Sequence, residues 1–441
     1  MPQVTFNFPR GFLWGTATAA HQVEGSNYRN NWADWEKQEG HILNGGKAGL
    51  ACDWWNGRWK EDLDRAAETG QNAHRMSVEW SRIQPDPEHW DEGALEYYRT
   101  MLRGMVDRNL TPMVTLHHFS DPLWLTEMGG WENAQTPERF ALFVRKTVEA
   151  LREYVNLWVV INEPNVYTNG GYMAGTFPPG KHDSGAAYKV MLNLLRGHAA
   201  AYHIIHELQP EARVGTCINY RSFKPARPWN PLDSFLVGEL HKAFNDSFVS
   251  AIVSGKFSFL AKTTAVPEAL KTQDFIGVNY YSRDLVKFAL NPANLFHERS
   301  YPPEAGLSST GFIANVPSGM YDALKWAARF KLPILVTENG IEDVDDSLRP
   351  EYLVEHIHQV WRGLNFNWPI KGYFHWTLVD NFEWERGWTM RFGLWGLNTE
   401  TQARIRRKSV DLYESICKAN AITSDMVEKY APGAYTRIFP K

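Results

Sequence analysis

The chain has 441 residues, of which 44% are hydrophobic and 14% aromatic, and its formal net charge at neutral pH is −4. This length is compatible with several average domains or with one large α/β barrel. The nearly balanced charge lacks the basic excess of proteins that bind nucleic acid or anionic membranes, so we expect neither as a partner.

The cysteine content and the N-terminus bear on the cellular compartment. Cys52, Cys217 and Cys417 are sparse and widely spaced. They form neither a disulfide framework nor a CxxC pattern, which favours a reducing compartment. The N-terminal residues lack the basic start and long apolar run of a signal peptide. No apolar stretch is long enough to cross a bilayer. We therefore expect a cytoplasmic protein.

Short apolar or β-branched runs alternate with amphipathic helical patterns along the chain, which is typical of a parallel α/β fold. Eight runs predict strands, at residues 13–17, 73–78, 111–116, 157–161, 213–218, 274–279, 333–336 and 372–376. Helices are predicted between them, including residues 59–69, 137–154, 186–208 and 318–330. Thr136 is a candidate N-cap, because a proline follows it at the first helical position.

Eight strands that alternate with helices favour a (β/α)₈ TIM barrel over an open sheet. No repeat, low-complexity tract or linker interrupts the pattern, so residues 1–441 are predicted to form a single catalytic domain. The proline-containing segments 223–231 and 291–303 lie between predicted strands and are predicted surface loops.

Polar and aromatic side chains follow most of the predicted strands, where a barrel enzyme carries its chemistry. These residues are His117 and His118 at the third strand, Asn162 and Glu163 at the fourth, Asn279 and Tyr281 at the sixth, Glu338 at the seventh and Trp376 at the eighth. A single carboxylate in such a place is more often a helix cap or part of a surface ion pair. Two of them at the same end of two strands favour a shared site.

Two carboxyls that face each other across a barrel mouth suit glycoside hydrolysis. One must be protonated to donate to the leaving oxygen, and the other must be ionised to attack the anomeric carbon. Arg75, on the second strand, is placed to stabilise one of them as an anion. A less polar setting would raise the pKa of the other.

Other chemistries find less support in the sequence. The adjacent rings of His117 and His118 should point apart on a strand, which disfavours a metal site. No glycine-rich phosphate loop follows a strand, and we expect neither a metal nor a cofactor. Cys217 is expected to fill the barrel, and Asn219, two residues further on, is expected to touch the leaving group. Trp54 and Trp55 fit either core packing or contact with the aglycone.

Four motifs occur in an order that identifies a family. They are Gln22-Val23-Glu24-Gly25, Asn162-Glu163-Pro164, Thr337-Glu338-Asn339-Gly340 and Asp380-Asn381-Phe382-Glu383-Trp384. With them the chain, from Phe8 to about Tyr413, resembles glycoside hydrolase family 1, the β-glucosidase family. The resemblance implies a retaining β-glycosidase, foremost a β-glucosidase, that acts on terminal β-D-glucosyl residues of oligosaccharides or of aryl and alkyl glucosides. A role in carbohydrate metabolism and cellulose degradation is predicted with it.

The resemblance also implies roles for individual residues. Glu163 would be the acid/base and Glu338 the nucleophile, held by Arg75 and Tyr281. The residues implied to bind the sugar are Asn162 at the 2-hydroxyl with Asn279 nearby, Gln22, His118 and Glu383 at the outer hydroxyls, Trp376 as a stacking platform and Trp384 beside it. Because the adjacent Asn162 and Glu163 must both reach the sugar, strand alternation should break there.

The sequence departs from the family pattern at three places. Phe119 stands where the family often has tryptophan, which removes an indole N–H and is expected to alter sugar preference. Val160 stands where threonine is usual, and Leu397-Asn398-Thr399 where Val-Asp-Tyr is usual. The last two departures are interpreted as structural.

Rival functions are separated by single residues. A sugar-binding pseudoenzyme would be expected to lose a glutamate, and a thioglucosidase would have glutamine at position 163. A 6-phospho-β-glycosidase would carry serine and lysine after the eighth strand, where this chain has Glu383 and Trp384. β-Galactosidase and β-fucosidase activities remain alternatives, because these sugars share the same contacts. The sequence does not indicate an oligomeric state.

Overall fold

The predicted strands close into a parallel barrel in the computed structural model, which describes residues 4–291 and 295–440. In chain order the barrel strands are β1 (Leu13–Ala17), β2 (Ala73–Ser77), β3 (Thr111–His117), β4 (Leu157–Asn162), β5 (Arg213–Asn219), β6 (Phe275–Asn279), β7 (Ile334–Asn339) and β8 (Ile370–Trp376). Each strand pairs in parallel with the next, and β8 closes the ring on β1, with Trp376 opposite Ala17. The fold class is confirmed, and no strand end differs from its predicted position by more than three residues.

Helices surround the barrel and connect its strands. In the described part of the chain they are α1 (Ala20–Val23), α2 (Asn31–Trp35), α3 (Trp59–Glu68), α4 (Trp80–Ile83), α5 (Glu92–Val106), α6 (Leu123–Glu127), α7 (Thr136–Leu151), α8 (Pro164–Thr168), α9 (Ser184–Leu208), α10 (Pro231–Leu240), α11 (Ser247–Ser254), α12 (Pro317–Ala328), α13 (Arg349–Asn365), α14 (Lys408–Ala419), α15 (Ser424–Tyr430) and α16 (Tyr435–Ile438). The four predicted helices correspond to α3, α7, α9 and α12. Thr136 belongs to the first turn of α7 and is not its cap, because its hydroxyl donates to the carbonyl of Gly130.

Small residues in the strands make room for large side chains on neighbouring strands. A Cβ at Gly15 would lie 2.7 Å from a ring carbon of Phe374, on the adjacent strand β8. The barrel is therefore packed by side chains, as in other TIM barrels. At the C-terminal ends of the strands the barrel leaves an open mouth with room for a ligand.

A small three-stranded sheet lies beside the mouth, where loops were predicted. Its middle strand, Arg283–Phe288, pairs in parallel with Ser222–Pro225 and antiparallel with His297–Ser300. The loop predictions for 223–231 and 291–303 are therefore wrong in part, and residues 292–294 lie outside the described ranges. The prediction failed because Pro225 sits on an edge strand, where a missing N–H is tolerated.

Short strands outside the barrel tie the ends of the described chain together. Thr5–Asn7 pairs antiparallel with Ala421–Thr423. Two further antiparallel pairs are Lys256–Phe259 with Lys262–Ala265 and Trp395–Leu397 with Arg404–Arg406. None of the helices within residues 4–291 and 295–440 has the length and apolar character needed to cross a membrane.

Candidate active site

A cavity of about 370 Å³ opens at the C-terminal ends of the barrel strands. Its inner lining comes from the strand ends and from Glu383 and Trp384 in the loop after β8, and its outer lining comes from the surrounding loops, helices and small sheet. The inner residues are His118, Asn162, Glu163, Asn219, Tyr281, Glu338, Trp376, Glu383 and Trp384, and the outer residues are Phe119, Val166, Asn169, Phe177, Arg221, Phe244, Arg299, Phe312, Ile313, Glu385, Arg386, Met390 and Phe392. The structure thus brings most of the predicted site residues together.

Glu338, at the end of β7, is held by a cation and a phenol. The guanidinium of Arg75 donates to its Oε1 at 2.6 Å, and the hydroxyl of Tyr281 donates to its Oε2 at 2.6 Å. Arg75 is fully buried and also donates to Asn162 at 2.7 Å and to Thr115 at 3.0 Å. Both oxygens of Glu338 therefore accept short hydrogen bonds, one of them from a cation.

Glu163 follows β4 in an unusual backbone conformation. Its φ is 45° and its ψ is 59°, in the left-handed region that glycine favours. The pairing of β4 with β5 also shifts register between Val159 and Asn162. This break of strand alternation lets Asn162 and Glu163 share the mouth, as the sequence predicts. Oε1 of Glu163 accepts hydrogen bonds from the side-chain amides of Asn279 at 2.8 Å and Asn219 at 2.9 Å.

The two carboxyls differ in their electrostatic surroundings. Burial raises the pKa of Glu163 to about 8, and the nearby charge of Glu338 adds to the rise. Burial also raises the pKa of Glu338, but Arg75 and Tyr281 oppose that rise. Since Glu163 has only neutral amide donors and Glu338 has a direct cation, Glu338 carries the charge of the pair and Glu163 the proton.

Asn162 and Asn279 connect the carboxyls with the rest of the site. Oδ1 of Asn162 accepts from Arg75 and, at 3.2 Å, from Asn279. Its amide nitrogen lies 2.9 Å from Nε2 of His118. Asn279 in turn accepts a 2.6 Å hydrogen bond from Thr337. Burial holds the pKa of His118 well below its ordinary value, so this ring is neutral. These side chains form one fixed network around the carboxyl pair.

Gln22 and Glu383 lie together at one side of the cavity. The Gln22 amide donates to the carbonyl of Phe382 at 2.7 Å and to the Glu383 carboxyl at 3.2 Å. Burial, followed by the charges of Glu385 and Glu338, raises the pKa of Glu383 to about 8. In the empty site Glu383 is therefore largely protonated at neutral pH. It pairs with neither Arg386 nor Arg391, since Arg386 contacts Glu385 at 3.2 Å.

Trp376 and Trp384 are both buried residues whose side chains line the cavity. The ring of Trp384 stacks on His118 at 5.8 Å and meets Phe119 at 5.1 Å between centroids. Phe119 itself packs against Phe177. Two indoles and a phenylalanine thus provide flat apolar surface next to the polar network, as expected of a sugar site.

The structure also shows where several other residues named in the sequence analysis lie. The ring of His117 turns away from that of His118 and hydrogen-bonds Asp121 at 3.0 Å. Cys217 is buried in the barrel, and burial raises the pKa of its thiol to about 11, so it is packing material. Asn219 contacts the Glu163 carboxyl. Within the described ranges, no three His, Cys, Asp or Glu side chains are grouped to hold a metal ion.

Trp54 and Trp55 belong to the packing around the barrel and not to the cavity lining. Trp54 is buried and donates to Asp62 at 2.8 Å. The guanidinium of Arg82 lies over the ring of Trp55, with 3.8 Å between the guanidinium carbon and the ring centroid. Of the two readings that the sequence left open, core packing is the one that these contacts support.

Apart from Phe119, the sequence did not single out the outer residues of the cavity. Arg221 and Arg299 come from the small sheet, Phe244 from the segment after α10, and Glu385 and Arg386 from the loop after β8. A possible signal was the position of Arg221 directly after β5, a place where polar residues matter in barrel enzymes. Arg299 lies on no barrel strand, so no such signal marks it.

The barrel and its two buried carboxyls, one held as an anion and one as an acid, define the class of barrel glycosidases. Comparison with known proteins agrees: the model of glycosyl hydrolase family 1 matches residues 4–422. The chain belongs to this family and is an enzyme of the glycoside hydrolase class.

Individual relatives lie at moderate distance. Beta-glucosidase A from Thermotoga maritima is 35% identical over 94% of this chain and 98% of the relative. A beta-galactosidase from Saccharolobus solfataricus is 31% identical over 96% and 97% of the two chains. Among solved structures, a beta-glycosidase from Pyrococcus horikoshii superposes with a TM-score of 0.90 at 34% identity, covering 97% of this chain and 98% of that one.

Proposed function

We propose that the protein is a retaining β-glucosidase in which Glu338 is the nucleophile and Glu163 the acid/base. The observation that carries the assignment is the unequal environment of the two carboxyls. Glu338 accepts short hydrogen bonds from Arg75 and Tyr281, whereas Glu163 accepts only from neutral amides in a buried setting. The relative named beta-glucosidase A supports glucose as the sugar.

The proposed reaction has two displacements. In the first, a carboxylate oxygen of Glu338 attacks the anomeric carbon, and Glu163 gives its proton to the departing glycosidic oxygen. In the second, Glu163, now ionised, takes a proton from water, whose oxygen attacks the same carbon and displaces Glu338. The configuration is inverted twice, so the β-anomer is released. Asn162 is proposed to bind the sugar 2-hydroxyl, where hydrogen bonds strengthen in the transition state.

The proposed sugar subsite lies between the carboxyl pair and the loop after β8. Gln22, His118 and Glu383 would bind the outer hydroxyls, while Trp376 and Trp384 would cover the sugar ring. A 6-phosphate would bring nearly two negative charges into a buried site that already holds the Glu338 anion, and Glu383, largely protonated in the empty site, offers no positive charge to bind them. The enzyme is therefore proposed to prefer the free sugar. Measuring kcat/KM for a nitrophenyl β-D-glucoside and for its 6-phosphate tests this preference.

A β-galactosidase is the second candidate, because a relative of that name aligns over almost the whole chain. Glucose and galactose differ only in the orientation of the 4-hydroxyl. A panel of nitrophenyl β-glucoside, β-galactoside and β-fucoside, extended by cellobiose, ranks these sugars directly. A higher kcat/KM for the galactoside than for the glucoside would replace the first candidate by the second.

The biological setting is part of the same proposal. We propose that the chain acts as one catalytic domain in the cytoplasm, on small β-glycosides or oligosaccharides, and that it contributes to cellulose degradation. The continuous core supports the first point, since it extends from Phe8 to Ile438. The three buried, unpaired thiols support a reducing compartment.

The nucleophile assignment is tested with Glu338→Ala. Without the attacking carboxylate no glycosyl-enzyme can form, so hydrolysis of an activated aryl glucoside should fall by several orders of magnitude. Added azide should restore turnover and give the α-glucosyl azide, because it attacks once from the vacated side. Glu207→Ala removes an exposed glutamate that pairs with Arg145 and serves as the matched control. Wild-type activity in Glu338→Ala, or a β-azide product, would contradict the assignment.

A further inference from the structure

Arg221, Phe244 and Arg299 line the outer part of the cavity and form what is called the outer wall below. Asn219 donates to the Glu163 carboxyl, and Arg221 follows two residues later. Asn165, two residues after Glu163, donates to the backbone carbonyls of Asn219 at 2.8 Å and Phe244 at 3.0 Å. Since Glu163 is the proposed proton donor to the leaving oxygen, this wall flanks the path of the leaving group.

Positive charge on the outer wall exceeds the negative charge that is paired with it. Asp284 accepts two hydrogen bonds from Arg221, at 2.9 and 2.6 Å. Arg299 reaches the same carboxylate only at 3.6 Å. The Asp284 carboxylate is therefore the shared partner of two guanidiniums. The guanidinium of Arg221, which is the closer of the two, already hydrogen-bonds both carboxylate oxygens.

Arg299 is anchored in a way that leaves part of its guanidinium available. Its Nε hydrogen-bonds Nε2 of His297 at 3.0 Å, and its guanidinium lies over the ring of Phe223 at 5.3 Å. Among residues 4–291 and 295–440, its Nη nitrogens donate no hydrogen bond, and the Asp284 carboxylate lies 3.6 Å from one of them. The side chain is 45% exposed and lines the cavity.

Nearby acidic groups do not cancel this charge, because they have partners of their own. Glu298, adjacent to Arg299, pairs with Lys287 at 3.2 Å. Across the cavity, Glu385 pairs with Arg386 at 3.2 Å. At the inner end, Glu338 is bound by Arg75. His297 is neutral, because burial lowers its pKa.

We propose that Arg299 binds a carboxylate carried by the leaving-group half of the substrate, so that the enzyme favours β-glucosides with acidic aglycones. The assignment rests on the proposed function, since it needs Glu163 as the acid. Arg299 would supply two N–H donors in the planar arrangement that matches a carboxylate. Phe223, beneath the guanidinium, would hold that plane in place.

The test compares two substrates that differ in one group, 4-carboxyphenyl β-D-glucoside and its amide, 4-carbamoylphenyl β-D-glucoside. The measured quantity is the ratio of their kcat/KM values in each variant, which removes intrinsic differences between the leaving groups. Arg299→Gln should lower this ratio by roughly fivefold, as expected for a partly exposed ion pair. Arg299→Lys keeps the charge but not the paired donors. Its ratio should therefore lie between those of the wild type and Arg299→Gln.

Arg406→Gln is the control, because Arg406 is also ion-paired and 48% exposed but does not line the cavity. It should leave the ratio unchanged. Raising the salt concentration from about 0.02 to about 0.5 M should lower the wild-type ratio towards that of Arg299→Gln. If Arg299→Gln does not fold, this salt dependence alone tests whether the outer wall binds the substrate carboxylate.

Failure of the proposal and failure of the proposed function give different results. If wild-type enzyme hydrolyses neither glucoside, the proposed function is wrong. If it hydrolyses both, but the ratio responds to neither Arg299→Gln nor salt, the anionic subsite is overturned and the β-glucosidase assignment stands. An equal fall in Arg406→Gln and Arg299→Gln would also overturn it, because the effect would then be one of net charge.

Discussion

Removing one hydrogen bond from the proposed acid should move the basic limb of the pH profile. The side-chain amide of Asn219 donates to Oε1 of Glu163 at 2.9 Å and stabilises the ionised carboxyl. In Asn219→Ala the anion loses this donor, so the pKa of Glu163 should rise above its wild-type value of about 8. Glu163 must hold its proton to act as the acid, so activity is lost as the pH rises through this pKa.

The size of the shift follows from the difference between charged and neutral hydrogen bonds. A hydrogen bond to an ionised group contributes about 1.5–3 kcal/mol, and one to a neutral group about 0.5–1.5 kcal/mol. The anion therefore loses roughly 1–1.5 kcal/mol more than the acid does. Since one pKa unit corresponds to about 1.36 kcal/mol, the basic limb should move up by about one unit.

The assay is the pH dependence of kcat/KM for nitrophenyl β-D-glucoside, which reports the pKa values of the free enzyme. Asn169→Ala is the matched control: Asn169 lines the same cavity, but within the described residues its side chain makes no hydrogen bond to Glu163. Its basic limb should coincide with that of the wild type. An unchanged or lowered limb in Asn219→Ala would refute the assignment of Glu163 as the titrating acid.

Two further predictions concern arginines that pair with a buried carboxyl. Arg75→Met removes the cation 2.6 Å from Glu338, so the pKa of Glu338 should rise. The acidic limb of kcat/KM should then shift to higher pH, and the rate should fall at least about a hundredfold. An unshifted acidic limb would speak against the nucleophile assignment. Arg82→Met breaks a 2.7 Å pair with the buried carboxyl of Glu24 and should lower the free energy of unfolding by about 3 kcal/mol at pH 8. The pKa of Glu24 is already raised to about 7 by burial, so the carboxyl is protonated at pH 5 and the loss should be smaller there. Urea unfolding at both pH values measures the free energy that Arg82→Met loses. The control is Lys37→Met at an exposed ion pair, which should cost less than about 1 kcal/mol. Equal losses for Arg82→Met at both pH values would contradict the prediction.

The barrel and the inner site were predictable because their signals are local. Each strand is a short apolar run, and the polar residue that ends it is adjacent in sequence. Even the backbone irregularity at Glu163 followed from two neighbouring residues that must face the same way. The ionisation of Glu383 was not predictable in this way, because its pKa depends on Glu385, Glu338 and burial, which only the folded site brings together.

The outer wall escaped prediction for a different reason. Arg221 and Arg299 are far apart in the sequence and meet only through the pairing of the strands Ser222–Pro225, Arg283–Phe288 and His297–Ser300. Such non-local pairing leaves little trace in a propensity pattern, and Pro225 argues against a strand. A charge excess that depends on two arginines sharing Asp284 is visible only in three dimensions.

The closure of β8 on β1 has a consequence for biosynthesis. The first barrel strand, β1, ends at Ala17, but the strand that pairs with one of its two edges is β8, at residues 370–376. At about 5–20 residues per second, a ribosome needs roughly 20–70 s to make the intervening chain. Until then β1 has an unpaired edge, and the nascent polypeptide lacks Trp376 and Glu383. Premature termination before β8 should therefore leave an inactive open sheet that is prone to aggregation. The early strands are expected to bind a chaperone at the exit tunnel while the rest of the chain is made.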